Sequence, residues 1–260
     1  MTWVSLLLVA IGVADVVRGQ NGRMPLGLAP LAGVLTLVAG SVVSGVHAWA
    51  DVAALAVCAA GLAAWVETSR RTQADGRRAW LPLGALGVLV VGLVAFSGFA
   101  SAPGGPLADW LRWADLPWAT DVSASRVLLL AGLVAFNLAT GNVIVRLVLL
   151  AIGALRPDQV VAAQSSSADP QPADRLKGGR LLGPMERLVI LGLGLVGEYG
   201  AASIVIAAKG LLRFPEIQAA ARSSPPATSS RVGIDDVTEY FLVGSFVSWL
   251  VALASLALVR

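Results

Sequence analysis

The chain has 260 residues, of which 57% are hydrophobic and 13% are charged, and its formal net charge is +3. This balance is far from that of soluble globular proteins, and together with several long apolar runs it predicts an all-α polytopic transmembrane helix bundle. The basic residues flank the apolar runs, so they report topology and do not indicate nucleic-acid binding. A single cysteine and a single histidine exclude an intramolecular disulfide and any multi-histidine metal site. We therefore expect no metal and no cofactor.

About seven apolar segments of near-membrane length follow one another along the chain. The first has no basic residue before it and no small-residue cleavage site after it, so we interpret it as a retained helix and not as a signal peptide. The segments are Thr2–Val17, Pro25–Val46, Trp49–Val66, Trp80–Phe99, Val127–Val145, Glu186–Ala208 and Thr238–Val259.

Linkers divide these segments into two groups. Residues 1–155 form an N-terminal five-helix membrane part, and residues 156–180, rich in Ser, Asp, Gln and Pro, form a flexible cytoplasmic linker. Residues 181–260 form a C-terminal two-helix membrane part with a Pro/Ser-rich loop at 215–232.

The distribution of arginine predicts the orientation. Arg18, Arg70, Arg71 and other basic residues flank the same ends of the first, third and fifth segments, which places these ends in the cytoplasm and the N-terminus outside. The loop between the fourth and fifth segments is then external. Three tryptophans in it, at 110, 113 and 118, indicate a short amphipathic segment at the outer interface.

Glu198 is the leading functional candidate, because it falls near the middle of the apolar segment Glu186–Ala208. On a continuous helix it shares a face with Gly194, Ala201 and Ala202, so its carboxyl points into a groove of small residues. A carboxyl near the centre of a hydrocarbon layer is costly and is a functional candidate by default. Two interpretations stay open, namely a proton or cation relay and a structural hydrogen bond to another helix.

Two clusters of charge surround the last loop. Lys209 and Arg213 lie one helical turn apart, and Asp235, Asp236 and Glu239 begin the last helix, where carboxylates interact favourably with its dipole. If the loop folds back, the clusters face each other. They then form either a structural ion-pair network or a site for an anionic headgroup or substrate. The same pairing would explain why basic residues fall on the predicted outer side.

Four further residues are secondary candidates. Asn137 and the nearby Gly141 suit contact between helices in the fifth segment, and Arg146 is expected at the cytoplasmic interface. Glu186 and Arg187, at the start of the sixth segment, complete the set. Asp15, near the end of the first segment, is expected to reach the interface by snorkelling.

The C-terminal third carries a set of short motifs, which are GPMER at 183–187, GEYG at 197–200, AAK at 207–209, RF at 213–214 and EY at 239–240. On these motifs it resembles part of a family of bacterial multi-pass inner-membrane proteins. The resemblance covers about eighty residues. It implies a bacterial inner-membrane location and supplies no activity. It also implies that glutamine often stands at the position of Glu198, which favours hydrogen bonding over a charged relay.

Three functions fit these features. The first is a channel or transporter for a small ion or solute, and the second is a non-catalytic membrane subunit or scaffold of a larger complex. The third is a lipid-handling membrane enzyme that uses Glu198 or the pair Asp235 and Glu239 as acid and base. Since there is no GxSxG motif, no P-loop and no paired metal-ligand pattern, a non-enzymatic role is favoured. The expected partners are membrane lipids, with other membrane proteins or a second copy of the chain as further possibilities.

Overall fold

The fold is known from a computed structural model that describes residues 1–20, 27–114, 122–155, 179–222 and 234–259. Within these ranges the side chains of residues 20, 179–181, 209, 212–222 and 234–241 are outside the description. All regular structure in the described ranges is helical. The helices are α1 (Thr2–Gln20), α2 (Leu28–Val43), α3 (Trp49–Asp75), α4 (Trp80–Ala95), α5 (Gly105–Ala114), α6 (Ala124–Ala151), α7 (Gly179–Leu195), α8 (Tyr199–Arg222) and α9 (Ile234–Ala257).

Three of these helices are long and apolar enough to cross a membrane, by length and composition, namely α1, α3 and α6. Shorter apolar stretches lie in α2, α4, α8 and α9, where they run over Leu28–Val43, Trp80–Ala95, Tyr199–Ala208 and Leu242–Ala257. The all-α class is therefore confirmed for the described residues, and the predicted count of about seven membrane segments stays a prediction.

Helix α1 is the centre of the bundle. The described part of the chain packs α2, α3, α4 and α6 around it, and 67% of its apolar window is buried. Glycines allow this close packing, because a Cβ on Gly12 would lie 2.7 Å from the backbone carbon of Ala135 in α6. A Cβ on Gly132 of α6 would lie 2.8 Å from the carbonyl oxygen of Ser5. Helix α1 therefore supplies the centre of the hydrophobic core.

Polar contacts at both ends of α1 show that α1 and α3 run in the same direction. At one end, the buried Asp51 of α3 accepts hydrogen bonds from Trp3 Nε1 at 2.7 Å and from Ser101 Oγ at 2.6 Å. At the other end, Trp65 Nε1 of α3 donates to Asp15 Oδ2 at 3.1 Å. Asp15 is 5% exposed, so the prediction that it snorkels to the interface is wrong.

The loop between α4 and α6 contains the predicted amphipathic segment. Helix α5 exposes Trp110 and Trp113 by 51% and 82%, and Arg112 pairs with Asp109 on the same helix. Trp118 lies outside the described residues. Gly45 and Gly105, which both have positive φ angles, bring the start of α5 against the end of α2.

Several predicted boundaries are wrong. Helix α3 continues to Asp75 and therefore carries Arg70 and Arg71, which were expected in a loop. It ends where Gly76 adopts the left-handed conformation at φ 66°. The linker prediction for 156–180 falls mostly outside the described residues, but Gly179 and Arg180 already belong to α7.

The C-terminal part differs most from the prediction. The segment Glu186–Ala208 is interrupted at Val196–Glu198, where Gly197 has a φ of 85°, so this part contains three helices instead of two. Helix α8 also extends through the first half of the loop predicted at 215–232, as far as Arg222. The remainder of that loop lies outside the described residues.

The C-terminal helices pack against α6. A Cβ on Gly244 of α9 would be 3.6 Å from Leu149 Cδ1, and a Cβ on Gly194 of α7 would meet Leu256 of α9. Residues from α6, α7 and α9 therefore meet in the interior. The predicted N-terminal part, 1–155, and the predicted C-terminal part, 181–260, share the polar region that these residues form.

Candidate functional site

A π turn at Phe136–Thr140 interrupts α6 and determines the geometry of the site. The amide of Gly141 donates to the carbonyl of Phe136, five residues earlier, instead of to that of Asn137. The Asn137 carbonyl is thereby released from the helix, and turns of this type are frequent at functional sites. Asn137 and Thr140 are both fully buried.

Arg187 of α7 occupies the position that the π turn opens. Its Nε donates to the freed Asn137 carbonyl at 2.9 Å, and its Nη2 donates to Asn142 Oδ1 at 2.7 Å. Its Nη1 donates to Ser248 Oγ of α9 at 3.0 Å. Gly141 leaves room for the guanidinium, since a Cβ there would lie 2.7 Å from Arg187 Nε. We call this set, Asn137, Gly141, Asn142, Arg187 and Ser248, the arginine site.

Arg187 carries the charge of the arginine site, and Glu186, its neighbour on α7, lies close enough to act on it electrostatically. Arg187 is 1% exposed, and none of the ion pairs between described residues includes it. Its three partners are a carbonyl, an amide and a hydroxyl, all neutral. A guanidinium has five N–H donors, so these bonds orient it without using all of them. Burying a guanidinium inside an apolar bundle is expensive, which makes Arg187 the most unusual residue of the described bundle.

A second buried charge lies on the opposite side of the π turn. Asp15 of α1 pairs with Arg18 at 2.8 Å between Oδ1 and Nη2, and Arg18 Nη1 donates to Ser69 Oγ at 2.7 Å. With the bond from Trp65 Nε1, these four residues form what we call the aspartate site. Asp15 thus has its ion-pair partner on the same helix.

The π turn lies between the two sites and has unfilled hydrogen-bonding capacity. Thr140 approaches the Asp15 carboxylate, but its Oγ1 makes no hydrogen bond of normal geometry among the described residues. Asn137 uses its Nδ2 to donate to the Leu133 carbonyl and to Ser255 Oγ, both at 2.8 Å. Its Oδ1 is buried without a partner in the described part of the chain. Such groups are hydrogen-bonded in most folded proteins, so they indicate a place for a water molecule or a ligand.

Glu198 does not have the position that the sequence predicted. It lies between α7 and α8, where its backbone amide donates to the Leu193 carbonyl at 2.8 Å and its carbonyl accepts from Ala202 N at 3.1 Å. Its side chain is exposed. The prediction that it points into a groove beside Gly194 is therefore wrong, because the break at Gly197 removes the continuous helical face.

The other predicted residues are distributed as follows. Lys209 and Arg213 belong to α8, and Asp235, Asp236 and Glu239 belong to α9, but their side chains lie outside the described residues. Arg146 and Glu186 are half-buried on α6 and α7. Among the secondary candidates, the structure brings Arg187 onto Asn137, and Glu186 lies close enough to act electrostatically on Arg187. The predicted role of Gly141 in contact between helices is confirmed by its contact with Arg187.

Sequence reasoning missed Asn142 and Ser248 as partners of Arg187. A signal was available on α9, where the three buried serines Ser245, Ser248 and Ser255 recur at helical spacing within an apolar run. The matching signal on α7 is Arg187, at the start of a long apolar stretch. We interpreted Arg187 mainly as part of the motif GPMER.

An apolar groove of about 430 Å³ opens between α8 and α9, lined by Tyr199, Leu253, Leu256 and Ala257. No carboxylate belongs to its lining. In the described ranges, no three metal-ligating side chains come together.

No protein-family model, no curated protein and no solved structure matches this chain. The resemblance of the C-terminal third to a bacterial inner-membrane family therefore stays a prediction, and the functional argument depends on the geometry alone.

Proposed function

We propose that the chain is a multi-pass integral membrane protein of the bacterial inner membrane with its N-terminus outside. The support is the placing of basic and aromatic residues at the ends of the bundle. Exposed aromatic residues, Trp49, Phe99 and Trp113, are at the end where α1 and α3 begin. Arg18 and Arg70 are at the opposite end. Aromatic residues favour membrane interfaces and basic residues favour the cytoplasmic side.

Within this setting, we propose that the protein is a channel or transporter for a small ion or solute. The observation that carries the proposal is the buried guanidinium of Arg187, which donates its hydrogen bonds to three neutral groups among the described residues. Maintaining such a charge inside an apolar bundle costs stability, and intramembrane ionisable groups commonly mark the path of an ion or substrate. The arginine site, the π turn and the aspartate site together line the proposed path.

We propose that Glu198, besides Arg187, takes part in transport. A break within an apolar segment, followed by the start of a new helix, is a recurrent feature of ion and substrate sites in transporters. Glu198 immediately precedes the first turn of α8, where the helix dipole favours a negative charge. Its exposed carboxylate then acts at the entrance of the path and not at the centre.

A flux assay tests this proposal. Purified full-length protein in liposomes is supplied in turn with protons, monovalent and divalent cations, small anions and small neutral solutes. Wild type is compared with Arg187→Gln and Glu198→Gln, and Arg112→Gln on α5 is the control, because its side chain is 79% exposed. Loss of flux in the Arg187 variant with intact folding supports the arginine site as the path. If wild-type protein of verified fold moves none of these solutes, the transport proposal is wrong.

A non-catalytic membrane subunit is the second candidate, and the outer face of α4 favours it. Gly84 and Gly87 would meet no atom within 4 Å if they carried a Cβ, and Val88 and Val91 beside them are 75% and 68% exposed. Glycines on an open apolar face allow a further helix to approach closely in lipid. Cross-linking from this face in native membranes, followed by identification of the product, tests this candidate.

The lipid-handling enzyme is supported least. That function needs paired carboxylates beside an opening to lipid, and the groove between α8 and α9 has an apolar lining. Membrane lipids are then solvating partners and not substrates.

A further inference from the structure

We propose that the turn between α3 and α4 binds the headgroup of an anionic phospholipid, whose acyl chains lie along the outer face of α4. The inference rests on the membrane setting of the proposed function and does not depend on transport. It is supported by the charge of the turn, by its level in the bundle and by the apolar face that begins beside it. The surface consists of Arg77, Arg78, Trp80, Leu81, Gly84 and Val88.

The turn carries more positive charge than its carboxylates compensate. Between residues 67 and 78 the chain has four arginines and two carboxylates, which are Arg70, Arg71, Arg77, Arg78, Glu67 and Asp75. Glu67 holds the first two arginines, at 2.8 and 2.6 Å. Arg77 and Arg78, which we call the turn arginines, are exposed and form no ion pair or side-chain hydrogen bond with a described residue. Two exposed guanidinium groups are therefore available to an anion.

The elements beside the turn add no carboxylate that would neutralise this excess. Helix α4 has no charged residue between Trp80 and Ala95. The end of α6 packs against the turn through Leu150 and Ala79, and residues 141–155 contain no aspartate or glutamate. Asp75 is thus the one carboxylate of the turn that Glu67 and its arginines leave over, and it is outnumbered by the turn arginines.

The turn lies at the membrane interface that the proposed setting assigns to the cytoplasm. Helices α3 and α4 run antiparallel, and Gly61 of α3 packs against Leu89 of α4. Trp80 lies nine residues before Leu89 and is therefore level with the residue nine positions after Gly61, which is Arg70. The serine before Arg70 accepts a hydrogen bond from Arg18, at the end of α1. Trp80 is 60% exposed at the level where basic side chains begin, so the turn arginines lie among the headgroups.

An open apolar face of α4 continues from the turn into the membrane. Leu81, Val88 and Val91 lie along it and are 50%, 75% and 68% exposed. Gly84 lies between them and has no side chain, and a Cβ there would meet no atom within 4 Å. From Trp80 to Val91 the helix rises about 16 Å, close to half of a hydrocarbon layer of about 30 Å. The face thus has the length of an acyl chain in one leaflet.

The charge favours a lipid over a protein helix on this face. A helix packed on α4 would cover the apolar residues and leave the turn arginines without a partner. An anionic phospholipid supplies both parts, because arginine binds phosphate oxygens in pairs and the acyl chains cover the apolar face. Anionic lipids of the cytoplasmic leaflet also attract basic residues beside a membrane helix. The lipid would therefore compete with the partner helix of the second candidate function.

Trp80 can report which lipid lies beside it. Purified full-length protein is reconstituted in phosphatidylcholine with brominated acyl chains, which quench nearby tryptophans, and unbrominated phosphatidylglycerol is added in steps. Subtracting the signal of Trp80→Phe isolates the fluorescence of Trp80. We expect phosphatidylglycerol to displace phosphatidylcholine with a relative binding constant of about 30, as for two basic residues near an anionic lipid surface.

Two double variants separate a site from diffuse charge. Arg77→Gln/Arg78→Gln should lower the relative binding constant to about one, because the headgroup loses both guanidinium groups. Arg70→Gln/Arg71→Gln removes the same charge from the same end of α3, but these arginines are held by Glu67, so it should retain most of the wild-type preference. Inorganic phosphate, compared with sodium chloride at equal ionic strength, should not abolish the preference.

Each contrary outcome has its own meaning. Equal binding of the two lipids to wild type overturns the inference, and so does an equal loss in both double variants, which diffuse charge would explain. If inorganic phosphate abolishes the preference and chloride does not, the turn binds a free anion and not a lipid. If cross-linking from α4 in native membranes captures a protein on this face, a helix is the occupant. Failure of the protein to float with the vesicles refutes the membrane setting itself, before any lipids are compared.

Discussion

The close contact between α1 and α6 gives the sharpest test of the packing, because it positions the π turn against Asp15. We consider Gly12→Ala, at a buried glycine in the middle of α1. The added Cβ would lie 2.7 Å from the backbone carbon of Ala135 and 2.8 Å from its carbonyl oxygen. Carbon atoms in favourable contact are about 3.5–4 Å apart, so the helices would have to separate by roughly 1 Å. A flexible side chain could move aside, whereas the α6 backbone cannot.

A matched control isolates the magnitude of this effect. Gly87→Ala introduces the same chemical change in α4, at an exposed glycine with no atom within 4 Å of the added Cβ. Both variants gain the helix preference of alanine, about 0.5–1 kcal/mol. The difference between them is therefore the cost of overpacking, about 1–3 kcal/mol. It should be near the upper end of this range, because the obstruction is backbone.

The assay is reversible unfolding of both variants in the same detergent, followed by circular dichroism. We expect Gly87→Ala to equal or exceed wild type and Gly12→Ala to be clearly less stable. The flux of Gly12→Ala should also fall, because the separated helices move Thr140 away from Asp15. If the two variants are equally stable, α1 and α6 are not in contact as described and the geometry of the π turn must be revised.

Three further predictions concern buried charge and the membrane interface. Asp51→Asn should destabilise the fold by about 2–4 kcal/mol in the same unfolding assay. Hydrogen bonds to a charged group are worth about 1.5–3 kcal/mol each, and an amide cannot accept them all. If Asp51→Asn causes the same loss of stability in a Trp3→Phe background, the hydrogen bond from Trp3 contributes nothing. Arg18→Met should cost more stability than Asp15→Asn. Arg18→Met leaves the Asp15 carboxylate, which is 0% exposed, unpaired, whereas in Asp15→Asn the Arg18 side chain is 21% exposed and reaches water. Equal losses of stability would contradict this asymmetry. A spin label attached at Trp113→Cys should report a depth of about 5–10 Å in the bilayer of vesicles, as for interfacial helices. Full accessibility of the label to an aqueous relaxation agent would contradict an interfacial α5.

The sequence predicted the all-helical class and the amphipathic segment around Trp110 and Trp113, because both depend on local patterns. Apolar runs without strand punctuation leave few alternatives to helices, and aromatic residues at helical spacing beside a charged pair indicate an interfacial segment. The end of α3 was predicted too early, because the prediction followed hydropathy and not helix propensity. Hydropathy falls after Val66, yet the following Glu, Arg and Gln residues are good helix formers and the helix ends only at Gly76.

The arginine site could not be predicted from local patterns. Its existence depends on the π turn, which redirects a single carbonyl, and no hydropathy profile distinguishes a π turn from an α-helical one. The same limit explains the error at Glu198. The run from Gly192 to Gly200 is apolar enough for a continuous helix, and the positive φ of Gly197 that interrupts it is a conformational choice available to any glycine.

The three buried charged residues of the described bundle, Asp15, Asp51 and Arg187, have different kinds of partner. These differences favour a functional interpretation of Arg187 alone. Asp15 has a counter-ion, and Asp51 accepts four hydrogen bonds, from Trp3 Nε1, Ala48 N, Ser101 N and Ser101 Oγ. Both arrangements join α1 to α3 and are explained by stability alone. Arg187 also joins helices, but a neutral methionine or glutamine would do so without the cost of a buried charge. A charge that the architecture does not need, fully buried beside an interruption in a helix, is therefore the one for which we propose a part in transport.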